Sequence, residues 1–353
     1  MVRDPDRSRA SMRATVLPPN QPRHFCRGGV NIARFRGVDP IDAYRPEDWI
    51  GSATTRLGAE SVGLTTPPDG RTLRSALDEI PVGWLGSAHT QRWGATPALL
   101  VKLLDAGQRL PVHCHPSRLF AGEHLSSHFG KTEAWFILDT VGGHPSIYLG
   151  VRDDVPEWQL RTWDGNPGPG GAPWCRQPDR GTRRRVRGGG GVAARDRSRC
   201  LPRRALGTHR LQRVARVGRI RARPGERALE PRLGRALQCV DRRAMSPEAV
   251  ARLVHPRERM AEVRPEVLRV FADAADPYFR AELISGCGVT DPSFTILVVL
   301  DGEGSIDFSD GAHLPVRRGQ TVLVPHGAGA AVIVGDIEVF RCLPPNPATP
   351  PEA

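Results

Sequence analysis

Lysine is almost missing from this chain: Lys102 and Lys131 stand alone against 48 arginines among 353 residues. Such a skew is what a very GC-rich gene gives, and it makes each surviving lysine worth explaining. Long apolar runs are missing too. None approaches the roughly 20 residues that a membrane-crossing helix requires, so no membrane partner is expected. The seven cysteines show no paired spacing, which excludes a disulfide framework and points to reduced thiols and a cytoplasmic address. Met1 to Arg13 carries charge but no apolar stretch. That excludes a secretory signal, and residues 1–13 read as a disordered lead-in.

What is present describes a globular protein. Hydrophobic residues make up 39% of the chain, and 38 glycines with 33 prolines suit many short strands joined by tight turns. The length allows two or three compact units. The basic character is local. From Arg176 to Leu237, 20 arginines face four acids, an excess of 16 positive charges; the whole chain carries +12, so the remainder carries −4. A nucleic-acid partner would rest on that segment alone. The segment lacks aromatic interleaving and helical order, so nucleic acid is not the expected partner.

Residues 14–165 read as folded sequence. Leu73, Ala76, Leu77 and Ile80 fall on one side of a helix, and 98–116 reads as a buried strand, a turn at Ala106-Gly107 and a second strand. Residues 131–140 and 146–151 read as strands, with a turn at Gly142, Gly143 and Pro145 between them. From 166 to 237 neither a period of two nor one of 3.6 holds, and this stretch reads as an out-of-frame segment or as a disordered basic insertion. Regular sequence resumes with Ser246-Pro247-Glu248, an N-cap hydroxyl followed by proline at the first helical position. Residues 238–290 read as a helical connector. Residues 291–345 return to strands, with 294–308 alternating around a glycine-rich turn, and 346–353 form a tail. The expected fold is mainly β, a sandwich or barrel with a few helices.

The chemistry concentrates at Gly107, five intervening residues, His113 and His115, followed by Glu133. In a strand alternate side chains share a face, so His113 and His115 project together while Cys114 points away. A carboxylate from a neighbouring strand, Glu133, completes two imidazoles and one carboxylate with open positions, a platform for Zn²⁺ or Fe²⁺. A His-x-His pair alone is common on surfaces. The preceding strand and turn, and a strand-borne glutamate just after a lysine, favour a metal. Lys131 lies two residues before Glu133, so alternation brings its ammonium to the same face, where it can stabilise oxyanion charge or bind substrate. Ser52 and Thr54 are candidate substrate contacts or simply turn hydroxyls, and Trp49 and Trp135 read as core.

The glycine–His-x-His spacing is the first half of the cupin motif. More narrowly, "LPVHCHP" with "GKTEAWFIL" resembles the metal-binding strands of class I mannose-6-phosphate isomerases, as do "NQPRHFCRGG", "IARFRG", "EDWIGSATTRLG", "ALQCVDR" and "LPVRRGQTVLVP". The resemblance covers most of residues 14–160 and 236–345. It implies a bicupin of two β-barrel units: an N-terminal catalytic cupin beginning in 14–165, interrupted by 166–237, and a C-terminal cupin over 291–345. It further implies one Zn²⁺ per chain held by His113, His115 and Glu133, with Lys131 catalytic. The substrate would be a sugar phosphate, and the reaction the interconversion of mannose 6-phosphate and fructose 6-phosphate through an enediol. The family's later histidine ligand falls where only His209 stands, without a strand pattern around it. No counterpart of the family's active-site arginine segment is found; Arg242 and Arg243 are the conceivable stand-ins. In the second repeat Ala330 stands where a metal-binding cupin places histidine, and His326 comes one step early, so the C-terminal unit is expected to be metal-free.

Overall fold

The structure, a computed structural model, describes residues 12–56, 59–108, 110, 114–140, 147, 149–162, 175–176, 190–193 and 237–349. Along the chain it forms β1 (Thr15–Val16), α1 (Val30–Arg36), β2 (Glu47–Ile50), α2 (Leu73–Glu79), α3 (Pro81–Leu85), α4 (Ser87–Trp93) and β3 (Val101–Leu104). There follow α5 (Arg118–Leu125), β4 (Ala134–Ile137), β5 (Leu149–Val151), α6 (Glu157–Thr162), β6 (Cys175–Arg176), β7 (Gly190–Ala193), α7 (Pro247–Arg252) and β8 (Val254–Pro256). The remainder is strand: β9 (Ala261–Arg264), β10 (Val267–Arg269), β11 (Arg280–Ser285), β12 (Gly288–Thr290), β13 (Thr295–Phe308), β14 (His313–Arg317), β15 (Thr321–Val324) and β16 (Ala331–Leu343). The expected mainly β fold with a few helices is what is found. Among the described residues no helix is long and apolar enough to cross a membrane.

The chain divides into two compact units, residues 1–107 with 258–352 and residues 108–257. In the first, a nine-stranded sheet runs in the order β1-β15-β13-β16-β11-β10-β9, with β12 joined to β16 and β14 to β13. Its spine is the antiparallel ladder between β13 and β16, twelve paired positions from Ile296↔Cys342 to Phe308↔Ala331. Both faces of β13 are buried over its first five residues, Thr295 to Val299. Ile296 and Val298 enter one apolar cluster with Leu73, Leu77 and Trp84 of the helices. Leu297 and Val299 enter the other, with Ile333, Ile337 and Val339 of β16. Past Val299 the parity changes, and it is Ile306 and Phe308 that face the second cluster. The cause is a bulge: Leu300 has no partner between Val299↔Val339 and Asp301↔Glu338, and one extra residue turns every later side chain to the opposite face.

The glycine-rich turn expected within 294–308 is therefore not a turn. One 14-residue strand passes straight through Gly302 and Gly304. A Cβ on Gly302 would run into the carbonyl oxygen of Asp336, and one on Gly304 into that of Val334. The glycines are there for close approach of two backbones.

The helices of this unit follow their local signals. Thr72 caps α2, its hydroxyl accepting from the Ser75 N–H, and Leu73, Ala76 and Leu77 are buried as their spacing predicts. Buried charge ties the N-terminal segment to the sheet. Arg36 and Asp48 meet at 2.8 Å with side chains 3% and 0% exposed. The Asp48 carboxylate also accepts from the Asn20 N–H at 2.7 Å, and Arg36 donates to Thr321 Oγ1 at 2.7 Å. In α4, His89 is buried and its Nε2–H donates to the Thr96 carbonyl at 2.7 Å.

The second unit contains the sheet β4-β7-β8 and the pair β5-β6. Leu149, Met245 and Val250 form its buried cluster, with Trp135 packed against them. Backbone bonds from Val155 N to Arg242 O (2.9 Å) and from Met245 N to Val151 O (2.9 Å) clip the turn after β5 to the entry of α7. Ser246 caps α7 through the Ala249 N–H with Pro247 at the first turn, as its sequence predicts.

Residues 238–290 depart from the expected helical connector. After α7 they form β8 to β12, because segments such as 280–285 gain more by pairing along β16 than their helix-favouring Ala, Glu and Leu would gain alone. The second strand expected before His115 is not seen among the described residues: Leu110 and 114–117 lack regular structure, and 111–113 lie outside them. Within 166–237 the short strands β6 and β7 are described, pairing with β5 and with β4 and β8. The rest of that segment, His209, the Gly142–Pro145 turn and residues 1–11 lie outside the described residues.

Two consequences are open to measurement. Asp48→Ala would leave a buried guanidinium without its carboxylate, and urea unfolding should show a loss of about 3–5 kcal/mol. Burial lowers the His89 pKa from its ordinary 6.5; the bond to Thr96 opposes this and the Arg280 charge adds to it. The unfolded chain then binds the proton more readily. The stability held by neutral His89 is complete above pH 6.5 and is lost as pH falls below it. Urea midpoints from pH 8 down to 5 should decline on this account, and His89→Gln should flatten the decline.

Candidate metal centre

Three of the residues singled out from the sequence converge in the second unit, and the local chain explains why. Ser117 caps α5, its hydroxyl accepting from the Phe120 N–H at 3.1 Å. This fixes the backbone just after His115. The chain returns after α5 and runs alongside that backbone at Gly130, where a Cβ would lie 2.6 Å from Arg118 N and 2.7 Å from Pro116 O. Only glycine permits the approach. The next residue then locks it, the Lys131 N–H donating to the Pro116 carbonyl at 3.0 Å. Lys131 to Glu133 lie immediately before β4, not within it, and have no regular structure. Residues 131 and 133 nonetheless reach the same side, and the docking at Pro116 brings both to His115.

The resulting triangle is tight. His115 Nε2 and Glu133 Oε1 are 3.1 Å apart, Lys131 Nζ is 2.8 Å from Glu133 Oε1, and Nζ is 3.1 Å from His115 Nε2. With the ring proton on Nδ1, Nε2 accepts from the ammonium. That tautomer leaves the Nε2 lone pair directed at a cation, as a metal ligand requires. The side chains of His115 and Glu133 are 20% and 15% exposed, reachable yet partly shielded from water.

This donor set fits a divalent ion. Two ligands bound to one ion at about 2.0–2.2 Å stand roughly 3.0–3.5 Å apart, and nitrogen with carboxylate oxygen is a zinc-type pair. His113 lies outside the described residues. Among the described residues no group of three or more His, Cys, Asp or Glu is gathered. Cys114 lies near enough to Cys239 that, after burial, its charge is the second cause raising the Cys239 thiol to about 11. Such a thiol stays protonated at neutral pH and ligates a metal poorly.

The other candidates have different surroundings. Ser52, in the first unit, is 0% exposed, and its hydroxyl is exchanged with the Thr54 backbone at 3.0 and 3.2 Å. The Arg243 guanidinium is paired with Asp241 at 3.0 Å, and the Arg242 carbonyl is held by Val155. Trp49 is buried as expected, but it also belongs to a charged cluster that sequence reasoning missed. Its Nε1–H donates to Glu47 at 2.8 Å, Lys102 pairs with the same carboxylate at 2.9 Å, and the Lys102 ammonium sits 4.1 Å above the Trp49 ring. The available signal was the scarcity of lysine: both lysines of the chain pair with a glutamate.

No protein-family model matches the chain. Over 50 residues it is 49% identical to the mannose-6-phosphate isomerase ManA of Bacillus subtilis, covering 14% of this chain and 16% of that protein. Over 73 residues it is 34% identical to a mannose-6-phosphate isomerase of Streptococcus mutans, covering 20% and 23%. The chain thus matches less than a quarter of the length of these curated relatives. In three dimensions the likeness is broad. A crystal structure of the mannose 6-phosphate isomerase of Bacillus subtilis aligns over 93% of this chain and 99% of its own, with a TM-score of 0.61 and 20% identity. The mannose 6-phosphate isomerase of Salmonella typhimurium, bound to fructose 6-phosphate and zinc, aligns over 94% and 100%, with a TM-score of 0.63 and 13% identity. The resemblance drawn from the sequence is borne out, and the fold is that of the phosphomannose isomerases.

The docking of Gly130 predicts a defect at a distance. Gly130→Ala should push residues 131–133 away from His115 and weaken zinc binding by about 10–100-fold, the range seen when a ligand's supporting contacts are lost. Zinc titration against a competing chelator would measure it.

Proposed function

We propose that the chain is a zinc-dependent aldose–ketose isomerase that interconverts mannose 6-phosphate and fructose 6-phosphate. The observation that carries this is the convergence of His115, Glu133 and Lys131 in a fold shared with phosphomannose isomerases. His115 Nε2 and Glu133 Oε1 are two of the zinc ligands, and His113, two residues before His115, is the third. One ion per chain is held this way. When bound, zinc supplies Lewis-acid polarisation of the sugar's C1 and C2 oxygens.

The reaction moves a proton from C2 of the open-chain aldose to C1. The electrons of the broken C2–H bond form the C1–C2 double bond of an enediol, and negative charge gathers on the former carbonyl oxygen. Lys131 is placed to meet that charge. Its ammonium stands within hydrogen-bond distance of both ligand atoms, so it borders the position where the C1 and C2 oxygens must lie, and donates to the oxygen that becomes anionic. The 38% exposure of its side chain leaves it open to a substrate.

Turnover of mannose 6-phosphate, read through fructose 6-phosphate formation, tests this reading. Zinc-loaded protein should turn over, and Lys131→Met should lower kcat by about 10²–10³-fold. Because residues 166–237 read as an out-of-frame segment or as a basic insertion, a version carrying the restored frame is measured beside it. Absence of turnover from both proteins, each folded and zinc-loaded, would sink the assignment.

A further inference from the structure

We propose that Lys131 is a tethered cation that competes with the divalent ion for His115 and Glu133, so that metal binding drives its ammonium off the ligand atoms and out toward the substrate. This rests on the reading of His115 and Glu133 as ligands.

The inference follows from three distances. Nζ lies 2.8 Å from Glu133 Oε1 and 3.1 Å from His115 Nε2, and those two atoms are 3.1 Å apart. An ion bonded to both at about 2.1 Å must lie on a small circle around the line joining them. With these separations, every point of that circle falls between about 1 and about 4 Å from Nζ. On the near side the ion and the ammonium overlap. On the far side a divalent and a monovalent cation face each other at contact range in a partly shielded site, where like charges repel strongly. No position on the circle accommodates both, so the ion enters only as the ammonium leaves. The backbone permits this without disturbing the ligands. Lys131 is fixed at its N–H by the Pro116 carbonyl, and four methylenes separate that anchor from its ammonium. Binding of the ion therefore frees the ammonium for substrate oxygens.

Lysine thus lowers zinc affinity while raising turnover, opposite signs that a merely structural residue would not give. Zinc affinity is measured on the full chain by competition with a chromogenic chelator. Lys131→Met should bind zinc about tenfold more tightly than the unsubstituted chain, the worth of one charge-assisted contact no longer displaced. Equal or weaker binding by this variant would overturn the proposal. His115→Ala and Glu133→Gln separate the two readings: if both bind zinc as the unsubstituted chain does, the ligand assignment itself fails. A second measurement needs no variant. Acylation of amines by an N-hydroxysuccinimide ester is followed by mass spectrometry with and without zinc, Lys102 serving as internal control because it pairs with Glu47 in the other unit. Zinc should accelerate labelling of Lys131 severalfold relative to Lys102. A ratio that stays constant or falls on adding zinc would equally overturn the proposal.

Discussion

The ladder between β13 and β16 is the constraint from which the first unit takes its form. Two strands of 14 and 13 residues run antiparallel for twelve paired positions. Where β13 begins, at Thr295–Val299, both of its faces are buried and the segment is apolar in both parities; farther along, around Asp301–Glu303 and Val334–Asp336, the pair reaches solvent and turns polar. Around them every other strand of the sheet is added by pairing to one or the other, directly or through a neighbour. Helices α2 and α3 close one face with Leu73, Leu77 and Trp84. The charged network at Arg341 belongs to the same spine. Its guanidinium is 1% exposed and is shared between Glu282 and Asp291 at 2.8 and 2.9 Å. Burial alone would raise the Asp291 pKa, but the Arg341 charge and bond, with Arg264, outweigh it and hold the carboxyl below its ordinary range.

The candidate metal centre depends on a smaller constraint of the same kind. A single glycine lets one segment lie against another, and a single backbone bond from Lys131 to Pro116 sets the register. Such a site is assembled from contiguous pieces, residues 115–118 and 130–133, and does not require the long-range pairings that shape the first unit.

The parts of this protein that were legible in its sequence are those whose signals are local. Thr72 and Ser246 announce α2 and α7 because a capping side chain acts within three residues of itself. The meeting of Lys131, Glu133 and His115 was readable from alternation and from the rarity of lysine. What escaped depended on distant partners. Gly302 and Gly304 look like a turn, and only the carbonyls of Asp336 and Val334 show that they mark a crossing. Residues 280–285 carry helix formers, and only β16 makes them a strand. The Glu47–Lys102–Trp49 cluster joins two strands more than fifty residues apart. No single-segment pattern contains it.

The bulge at Leu300 gives the gene an uneven tolerance of length changes. Losing or gaining one codon in the exposed hairpin after β13, near Asp310 and Gly311, leaves each inward side chain on its own face. Losing the codon for Leu300 would restore unbroken alternation to β13 with Val299, Ile306 and Phe308 still on one face, whereas losing one between Ile333 and Ile337 of the bulge-free β16 would turn part of its apolar face to water. The bulge is the one residue this strand can spare, and its partner holds no such reserve.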